Sequence, residues 1–380
     1  MTQFRTLMTA LAGVLSATLA HADITIGVSI SLTGPTSALG IPTKNGIELW
    51  PKTIAGEKLN IIVLDDATDP TQAVKNARRF ITEDKVDVIV GSVATPVAAA
   101  MSDVATEGQT VQLMLSPVNL PDGKGVWSFR MPQSTAVMSI PIVEQWKKLG
   151  VKTFGFLGYA DAYGEGWLKD IVPLAEKAGI KLVATERFAR SDTGVTGQAL
   201  KLVSANPDAI LVVASGSGAA MPHKGLVERG YAKGKIYQTH GAASFDLIRV
   251  GGADVEGSYV VSGPAVVAGK LPDSNASKAL GVKYVTEYEK AYGKGMANQF
   301  GAHAFDVVIV LEKAIPLALK KAKPGTKEFR AALKDALETM GRTPVSQGVL
   351  NFTATDHFGY TPETGVMLKI VNGEWQVVPH

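Results

Sequence analysis

The sequence predicts an α/β protein with two doubly wound lobes, each built on a parallel sheet. Short apolar, β-branched runs alternate with helical stretches along most of the chain, which is the pattern of parallel strands joined by crossover helices. The alternation closes with a helical stretch over 136–149 and begins again with a strand over 152–157, so two blocks result. With 380 residues, of which 46% are hydrophobic and 19% charged, the chain can bury two cores.

The first 22 residues have a composition of their own. Arg5 precedes an apolar run over 7–19, which ends in Ala20-His21-Ala22, the small-x-small pattern of a signal-peptidase site. We therefore predict a secretory signal peptide over 1–22, because the run is too short for the alternative, a membrane anchor. The chain has no cysteine and hence no residue for lipid attachment behind the signal. A free monomer in a periplasm, without direct membrane insertion, is the expected state.

The charge balance argues against polyanionic partners. The sequence contains 38 Lys and Arg against 35 Asp and Glu, and the resulting formal charge of +3 is spread along the chain. We therefore expect neither nucleic acid nor an anionic membrane surface as a partner. The chain shows no short-period repeat and no Ser/Gly linker, so composition alone does not mark where one lobe ends.

The first block follows the order strand, polar turn, helix. Asp69 is predicted to cap a helix that has Pro70 at its first position, and another helix ends or bends at Pro51. Strands are predicted over 24–30, 59–64, 86–90 and 110–115, with an extended segment over 127–131.

The second block repeats that order and then changes. A helix over 299–321 is expected to be interrupted by Pro316, and Asn372-Gly373 predicts a hairpin between the last two strands. Strands are predicted over 152–157, 181–188, 209–213, 235–238, 255–261, 366–371 and 375–378, and a loop over 158–165. Helices are predicted over 167–178, 198–204, 219–229, 280–292 and 327–337.

A ligand cradle is predicted where the strand over 86–90 enters its helix. Thr95 stands at the expected N-cap, with Pro96 at the first helical position. The hydroxyls of Ser92 and Thr95, together with free backbone N–H groups, would favour an anion such as a carboxylate there. The alternative is that Thr95 merely caps its helix.

Catalytic signatures are missing from the sequence. The glycine-rich stretch over 214–218 lacks the third glycine of a dinucleotide-binding fingerprint, because that position is Met221. There is no phosphate-binding loop, no H-E-x-x-H zinc helix and no G-x-S-x-G elbow, and the six histidines lie far apart along the chain. We expect no metal, no cofactor and no enzymatic activity, and predict a receptor that binds its ligand at the carboxyl ends of the strands.

Four short motifs give the chain a specific resemblance. They are 31–35 (SLTGP), 65–70 (DDATDP) followed by 72–74 (QAV), 116–117 (SP) and 161–166 (DAYGEG). In order and spacing, the sequence resembles the periplasmic solute-binding proteins of type I fold that serve ABC importers of the branched-chain amino acid class. The resemblance covers nearly all of the chain after residue 22.

This resemblance implies two discontinuous lobes, 23–141 with 263–344 and 142–262 with 345–380, joined by a three-segment hinge. The lobes are expected to close on a ligand, and the closed form to dock on membrane permease subunits. By position, Thr95 would bind the ligand carboxylate, and Ser116 belongs to the matching turn. Val118 would offer a backbone group, and Tyr163 would cover the ligand from the second lobe, although it could instead only pack at its helix start.

The departures from the family pattern concern the ligand. His240 stands where amino acid binders carry an acidic residue for the ligand ammonium, and Leu120 replaces a threonine. Ser215 and Gly216 stand near positions of bulky tyrosines, and Leu39 replaces an aromatic residue. We therefore expect a larger, less polar binding site that keeps its anion contact but lacks an ammonium partner.

A small aromatic carboxylate, benzoate-like or phenylpropenoate-like, fits these substitutions. His240 could donate to a ring hydroxyl or a carboxylate, or be satisfied by its own loop. Phe300 could stack on a ring, although core packing is its alternative role. Two other functions stay open: a receptor of the same family for branched-chain or other aliphatic amino acids or amides, and a ligand-sensing regulatory module of the same fold.

Overall fold

The computed structural model describes residues 23–379, and the signal peptide predicted over 1–22 lies outside them. The strands are β1 (Ile24–Ile30), β2 (Thr53–Ile54), β3 (Glu57–Asp65), β4 (Val88–Gly91), β5 (Val111–Met114), β6 (Ser128–Arg130), β7 (Thr153–Tyr159), β8 (Lys181–Phe188), β9 (Ala209–Val213), β10 (Ile236–Gln238), β11 (Tyr259–Ser262), β12 (Thr343–Val345), β13 (Gly348–Leu350), β14 (Val366–Val371) and β15 (Glu374–Val377). The helices are α1 (Ser37–Glu48), α2 (Pro70–Thr82), α3 (Thr95–Glu107), α4 (Thr135–Lys148), α5 (Ala162–Lys177), α6 (Thr196–Ser204), α7 (Ala220–Val227), α8 (Phe245–Gly251), α9 (Lys278–Tyr292), α10 (Gln299–Leu319) and α11 (Lys327–Thr339).

The first sheet has the strand order β2-β3-β1-β4-β5-β6. Its strands are parallel except for β2, which pairs antiparallel with the edge of β3. The central strands β1 and β4 are buried on both faces, which explains their continuous apolar, β-branched character. We call this sheet and the helices packed on it the first lobe.

The second sheet has the order β15-β14-β11-β10-β9-β7-β8, and we call it and its helices the second lobe. Strands β7 to β11 are parallel, whereas β14 and β15 are antiparallel to their neighbours. The last pair is the predicted hairpin: Asn372 and Gly373 both have positive φ, and a two-residue turn of this kind joins only antiparallel strands.

Three local predictions need correction. The predicted loop over 158–165 contains the end of β7 and the start of α5, because the Asp161 side chain caps that helix by accepting from the backbone N–H of Tyr163 at 2.8 Å. The chain over 252–255 forms a 3₁₀ turn, so β11 begins later than predicted. Helix α10 runs through Pro316 without interruption and ends one turn later.

Each lobe has its own core, and packing separates the lobes differently from the predicted boundaries. The boundary at 141/142 falls inside α4, yet Met138, Ile142 and Trp146 of α4 all pack in the core of the second lobe. The boundary at 344/345 falls inside β12, yet Val345 and Leu350 belong to the core of the first lobe. The packing therefore favours a crossing before α4 and another after β13.

Buried polar contacts tie together the segments that run between the lobes. Gln133 donates from Nε2 to the backbone oxygen of Gln347 at 2.8 Å. The Asp306 carboxylate accepts from the backbone N–H groups of Ser346 at 2.7 Å and Gln347 at 3.0 Å. We call Gln133, Asp306, Ser346 and Gln347 the hinge cluster. In the part of the chain that the structure describes, no helix has both the length and the apolar character needed to cross a membrane.

Candidate functional site

A cavity lies between the two lobes, with about 350 Å³ of space free of protein atoms. Six of the predicted site residues line it: Leu39, Thr95, Tyr163, Ser215, His240 and Phe300. Four polar lining positions were not predicted: Arg190, Gly241, Gln299 and His303. The remaining wall is apolar, from Val93, Leu115, Pro117 and Pro132. We call this the interlobe cavity.

Thr95 lies at the start of α3, but it does not cap that helix. The N-cap residue is Ala94, which has no side chain that could accept a capping bond, and Pro96 follows within the first turn. The prediction of Thr95 as N-cap is therefore wrong by one position. The Thr95 side chain is buried at the wall of the interlobe cavity, and no hydrogen bond from it to another described residue is present. Its hydroxyl and its own backbone N–H are thus available to an anion, whereas Pro96 has no N–H and the N–H groups of Val97 and Ala98 donate to the Ala94 carbonyl at 3.1 and 2.9 Å.

Ser92 is not on the cavity wall. Its hydroxyl donates to Asp66 Oδ2 at 2.7 Å, and Asp66 also accepts from the Ser31 hydroxyl at 2.6 Å. Burial raises the pKa of Asp66, while these hydrogen bonds favour its charged form. Ser92 therefore belongs to a buried hydrogen-bond network with Asp66 and Ser31. Sequence spacing could not distinguish this role from a ligand contact.

Ser116 and Val118 also lie behind the wall, whose surface is formed there by Leu115 and Pro117. The N–H of Val118 donates to the Ser116 carbonyl at 2.9 Å, and the Val118 carbonyl accepts from Arg130 Nε at 3.1 Å. Both backbone groups of Val118 are therefore occupied within the protein. The Ser116 hydroxyl is buried without a partner among the described residues.

Tyr163 closes the cavity from the first turn of α5. Its hydroxyl lies 2.9 Å from Thr239 Oγ1 and accepts from the N–H of Gly241 at 3.2 Å. Burial raises the pKa of Tyr163 to about 12, so the phenol stays neutral. These bonds fix the ring on the cavity wall, in the place expected of a covering aromatic residue.

Arg190 supplies the cavity with a positive charge. It lies two residues beyond β8, and its Nε donates to Asp161 Oδ2 at 2.6 Å while Nη1 donates to the Ser215 hydroxyl at 3.1 Å. The guanidinium carbon lies 4.1 Å from the centre of the Tyr159 ring. The cation is therefore held in one orientation. The sequence offered one signal for Arg190: it is a charged residue just after a predicted strand, and ligands bind at the carboxyl ends of such strands.

Two histidines lie on the wall without hydrogen bonds to their rings. His240 follows β10, and its Nδ1 is buried without a partner among the described residues, as are both ring nitrogens of His303 on α10. Burial lowers the pKa of each imidazole to about 3, so both are neutral. Gln299 Nε2 donates to the backbone oxygen of His240, which links α10 of the first lobe to the second.

Leu39 and Gly216 meet where the lobes close. A β-carbon on Gly216 would lie 2.8 Å from Leu39 Cδ1, so Leu39 occupies the space above this glycine. The small residue at 216 therefore allows close approach of the lobes and does not itself enlarge the binding site. Phe300 is 5% exposed, lines the cavity and packs in the core of the first lobe, which is compatible with either predicted role.

The positive charge on the cavity wall belongs to an ion pair, because Arg190 lies 2.6 Å from the Asp161 carboxylate, which does not line the cavity. Among its lining residues within 23–379, Arg190 is the one charged side chain, and no Asp or Glu lines the wall. In the same range, no group of three or more metal-ligating side chains lies close enough to hold a metal ion. The arrangement can hold an anionic group beside an apolar body, with neutral hydrogen-bonding groups around it.

Comparison with known sequences places the chain among ligand-binding proteins. The Leu/Ile/Val-binding protein BraC3 of Rhizobium johnstonii is 27% identical over 366 residues, which cover 91% of this chain and 92% of that protein. The Leu/Ile/Val-binding protein homolog 3 of Brucella melitensis is 27% identical and covers 89% of both chains.

Solved structures share the same fold. An extracellular ligand-binding receptor from Rhodopseudomonas palustris HaA2 is 48% identical with a TM-score of 0.92, covering 94% of this chain and 100% of that one. The leucine-binding protein LivK of Thermotoga maritima, at 22% identity, superposes with a TM-score of 0.79 over 94% of this chain and 98% of its own. The family model described as periplasmic binding protein matches residues 23–371. The chain therefore belongs to the periplasmic binding protein family and has the two-lobed type I fold of that family.

Proposed function

We propose that this protein is a periplasmic solute-binding receptor that captures a small aromatic carboxylate in the interlobe cavity and delivers it to an ABC importer. The observation that carries this proposal is the composition of the wall: one fixed cation, Arg190, in largely apolar surroundings. A ligand with a carboxylate and an apolar ring of benzoate or phenylpropenoate type matches both features.

The carboxylate would be bound by Arg190 and by the hydroxyl and backbone N–H of Thr95. Charge-assisted hydrogen bonds of this kind strengthen when water is excluded, because the effective dielectric constant falls. Closure of the lobes, which the close approach of Leu39 to Gly216 supports, would exclude water from the ligand. The bound ligand would therefore favour the closed form, which permease subunits would then recognise.

An α-amino acid is the second candidate, because several relatives are named as Leu/Ile/Val-binding proteins. Its ammonium group would need an anionic partner when buried, since an unpaired buried charge is strongly disfavoured. The position predicted to carry that partner is His240, whose imidazole is neutral. This is why the aromatic carboxylate is preferred to the amino acid.

Ligand binding by the purified chain over 23–380, freed of bound ligand by unfolding and refolding, tests the proposal. Benzoate and 3-phenylpropenoate should raise the melting temperature, with about 2.7 kcal/mol of stabilisation at 100 times the dissociation constant. Benzamide, which keeps the ring but lacks the charge, is the matched control and should bind at least tenfold more weakly. Strong shifts with leucine or valine and none with the aromatic acids would overturn the proposal.

Cellular role and location need separate measurements. Deletion of the gene should abolish uptake of the labelled ligand, whereas loss of a ligand-sensing regulatory module would leave uptake intact and change gene expression. Fractionation should find the mature, signal-free chain in the soluble periplasmic fraction, and light scattering should find a monomer. Ligand recovered after incubation should be chemically unchanged, since the proposed role involves no catalysis.

A further inference from the structure

The interlobe cavity contains a pair of buried imidazoles that no protein group satisfies. His240 and His303 are each 2% exposed and both line the cavity. Nδ1 of His240 and both ring nitrogens of His303 have no hydrogen-bond partner among the described residues. Buried polar atoms are almost always paired in native proteins, so three unpaired nitrogens at one cavity point to a group that binds there.

The two rings belong to opposite lobes and line the same cavity. His240 lies in the turn after β10, with its ring 5.5 Å from that of Trp167 and 6.1 Å from that of Tyr163. His303 lies on α10, whose first turn is fixed by the Asn298 side chain accepting two backbone N–H groups. Burial lowers the pKa of both imidazoles, and His240 adds to the effect on His303. Both rings are therefore neutral, and both lie on the wall of one cavity.

A neutral imidazole has one donor and one acceptor nitrogen. Two such rings, facing one ligand group, are best satisfied by a group that donates to one ring and accepts from the other. A hydroxyl does both, whereas a carboxylate or ether oxygen only accepts, an ammonium only donates, and a ring C–H does neither in comparable strength. One hydroxyl can pair one nitrogen of each ring, and a ligand without such a group leaves more buried nitrogens unpaired, which costs affinity.

We propose that His240 and His303 together form a subsite for one uncharged hydroxyl group of the ligand, so that the physiological ligand is a hydroxylated aromatic carboxylate. This inference rests on the proposed function, since it adds a second polar contact to a ligand already held through its carboxylate. Arg190 and Thr95 would select the charge, and the two histidines would select the substituent.

The first test compares matched ligands on the unmodified protein by calorimetry at one pH and salt concentration. Benzoate is compared with its 2-, 3- and 4-hydroxy derivatives and their methyl ethers, and 3-phenylpropenoate with the same substitution series. We expect at least one hydroxy isomer to bind tenfold or more tightly than both its parent acid and its methyl ether. If every parent acid binds as tightly as its hydroxy derivatives, the subsite is disproved while the proposed function stands. If no aromatic acid binds, both the subsite and the proposed function are disproved.

The second test uses variants of His303. His303→Leu should reduce the preference for the hydroxy acid over its parent to less than threefold. His303→Gln keeps one donor and one acceptor and should retain much of the preference. His223→Leu is the matched control, because that buried histidine hydrogen-bonds to the Asp254 carbonyl at 2.9 Å and does not line the cavity.

The control variant should lower the melting temperature and leave the ligand preference unchanged. An equal loss of affinity for parent and hydroxy acids in His303→Leu would show that this histidine only supports the cavity wall, and would overturn the assignment. The comparison of ligands on the unmodified protein decides the question if the leucine variant does not fold.

Discussion

Leu39 of the first lobe lies directly over Gly216 of the second, with no room for a β-carbon between them. Gly216 has φ of +53° and a β-carbon there would lie 2.8 Å from Leu39 Cδ1 and 3.1 Å from the Ala38 β-carbon. The glycine therefore meets two needs at once, a left-handed backbone and close approach of the opposite lobe.

Gly216→Asn should hold the lobes apart. Asparagine tolerates positive φ, so its main effect is the side chain wedged against Leu39. We expect at least tenfold weaker ligand binding and a larger radius of gyration with ligand in small-angle scattering. Gly230→Asn is the matched control, since Gly230 has φ of +82° and nothing within 4 Å of its β-carbon position. Equal ligand affinity in the two variants would contradict the role of Gly216 in closure.

Arg190→Met should weaken the aromatic carboxylate strongly. Loss of a charged hydrogen-bond donor costs about 1.5–3 kcal/mol, or roughly 10- to 150-fold in dissociation constant. The dissociation constant of Arg190→Lys should lie between those of the parent and Arg190→Met, because lysine keeps the charge without the fork geometry. Arg187→Met is the control by calorimetry, since Arg187 pairs with Glu165 at the exposed surface. An Arg190→Met protein that binds benzoate like the parent would contradict the anion site.

The Thr95 hydroxyl should contribute to ligand binding, and the Ser92 hydroxyl to stability. Thr95→Val removes a hydroxyl that has no protein partner, and should weaken ligand binding by roughly 5- to 30-fold with little change in stability. Ser92→Ala removes a donor to buried Asp66, and should lower the free energy of unfolding by about 1–3 kcal/mol with little change in affinity. Chemical unfolding and calorimetry on both variants separate the two effects, and the reverse pattern would restore Ser92 as the ligand contact.

Asp306 should make stability fall as pH rises. Burial raises the pKa of this carboxyl in the hinge cluster to about 7, from an ordinary value of 3.8. Between pH 4 and pH 7 the folded protein thus holds a proton that the unfolded chain has released. Raising the pH through this window therefore lowers the free energy of unfolding, by up to about 4 kcal/mol at 1.36 kcal/mol per pKa unit.

The Asp306→Asn variant isolates this contribution, because other buried groups titrate alike in both proteins. Denaturant unfolding at pH 5, 6, 7 and 8 should show a steeper loss of stability in the parent than in the variant. The free energy of unfolding of the parent minus that of the variant should fall from pH 5 to pH 7 and then level off. A difference that is constant with pH would mean that Asp306 is ionised in the folded protein throughout.

Local sequence patterns predicted most elements because each has a local physical cause. The buried run of β1 and the Asn372-Gly373 hairpin were confirmed. Asp69 caps α2 as predicted, accepting from the N–H of Thr71 at 2.7 Å. The cap of α3 was placed one residue late, because Thr95 has the right side chain for a cap but Ala94 has the non-helical backbone.

The site was only partly accessible from the sequence. Resemblance to a family identified Thr95, Tyr163 and His240 as candidates, and these line the interlobe cavity. His303 was passed over because it lies inside a long apolar helix, where a histidine by itself has no distinguishing neighbour. Arg190 was passed over because its partner Asp161 is 29 residues away in sequence.

By itself, the sequence determined the two-lobed α/β architecture and the absence of recognisable catalytic motifs, because strand and helix periodicity and short motifs are properties of neighbouring residues. Only the tertiary structure decided which side chains meet. Ser92 hydrogen-bonds to Asp66, Arg190 lines the cavity, and His240 and His303 line the same cavity from opposite lobes. These outcomes depend on how two separately folded sheets close on each other, and spacing along the chain carries little information about that closure.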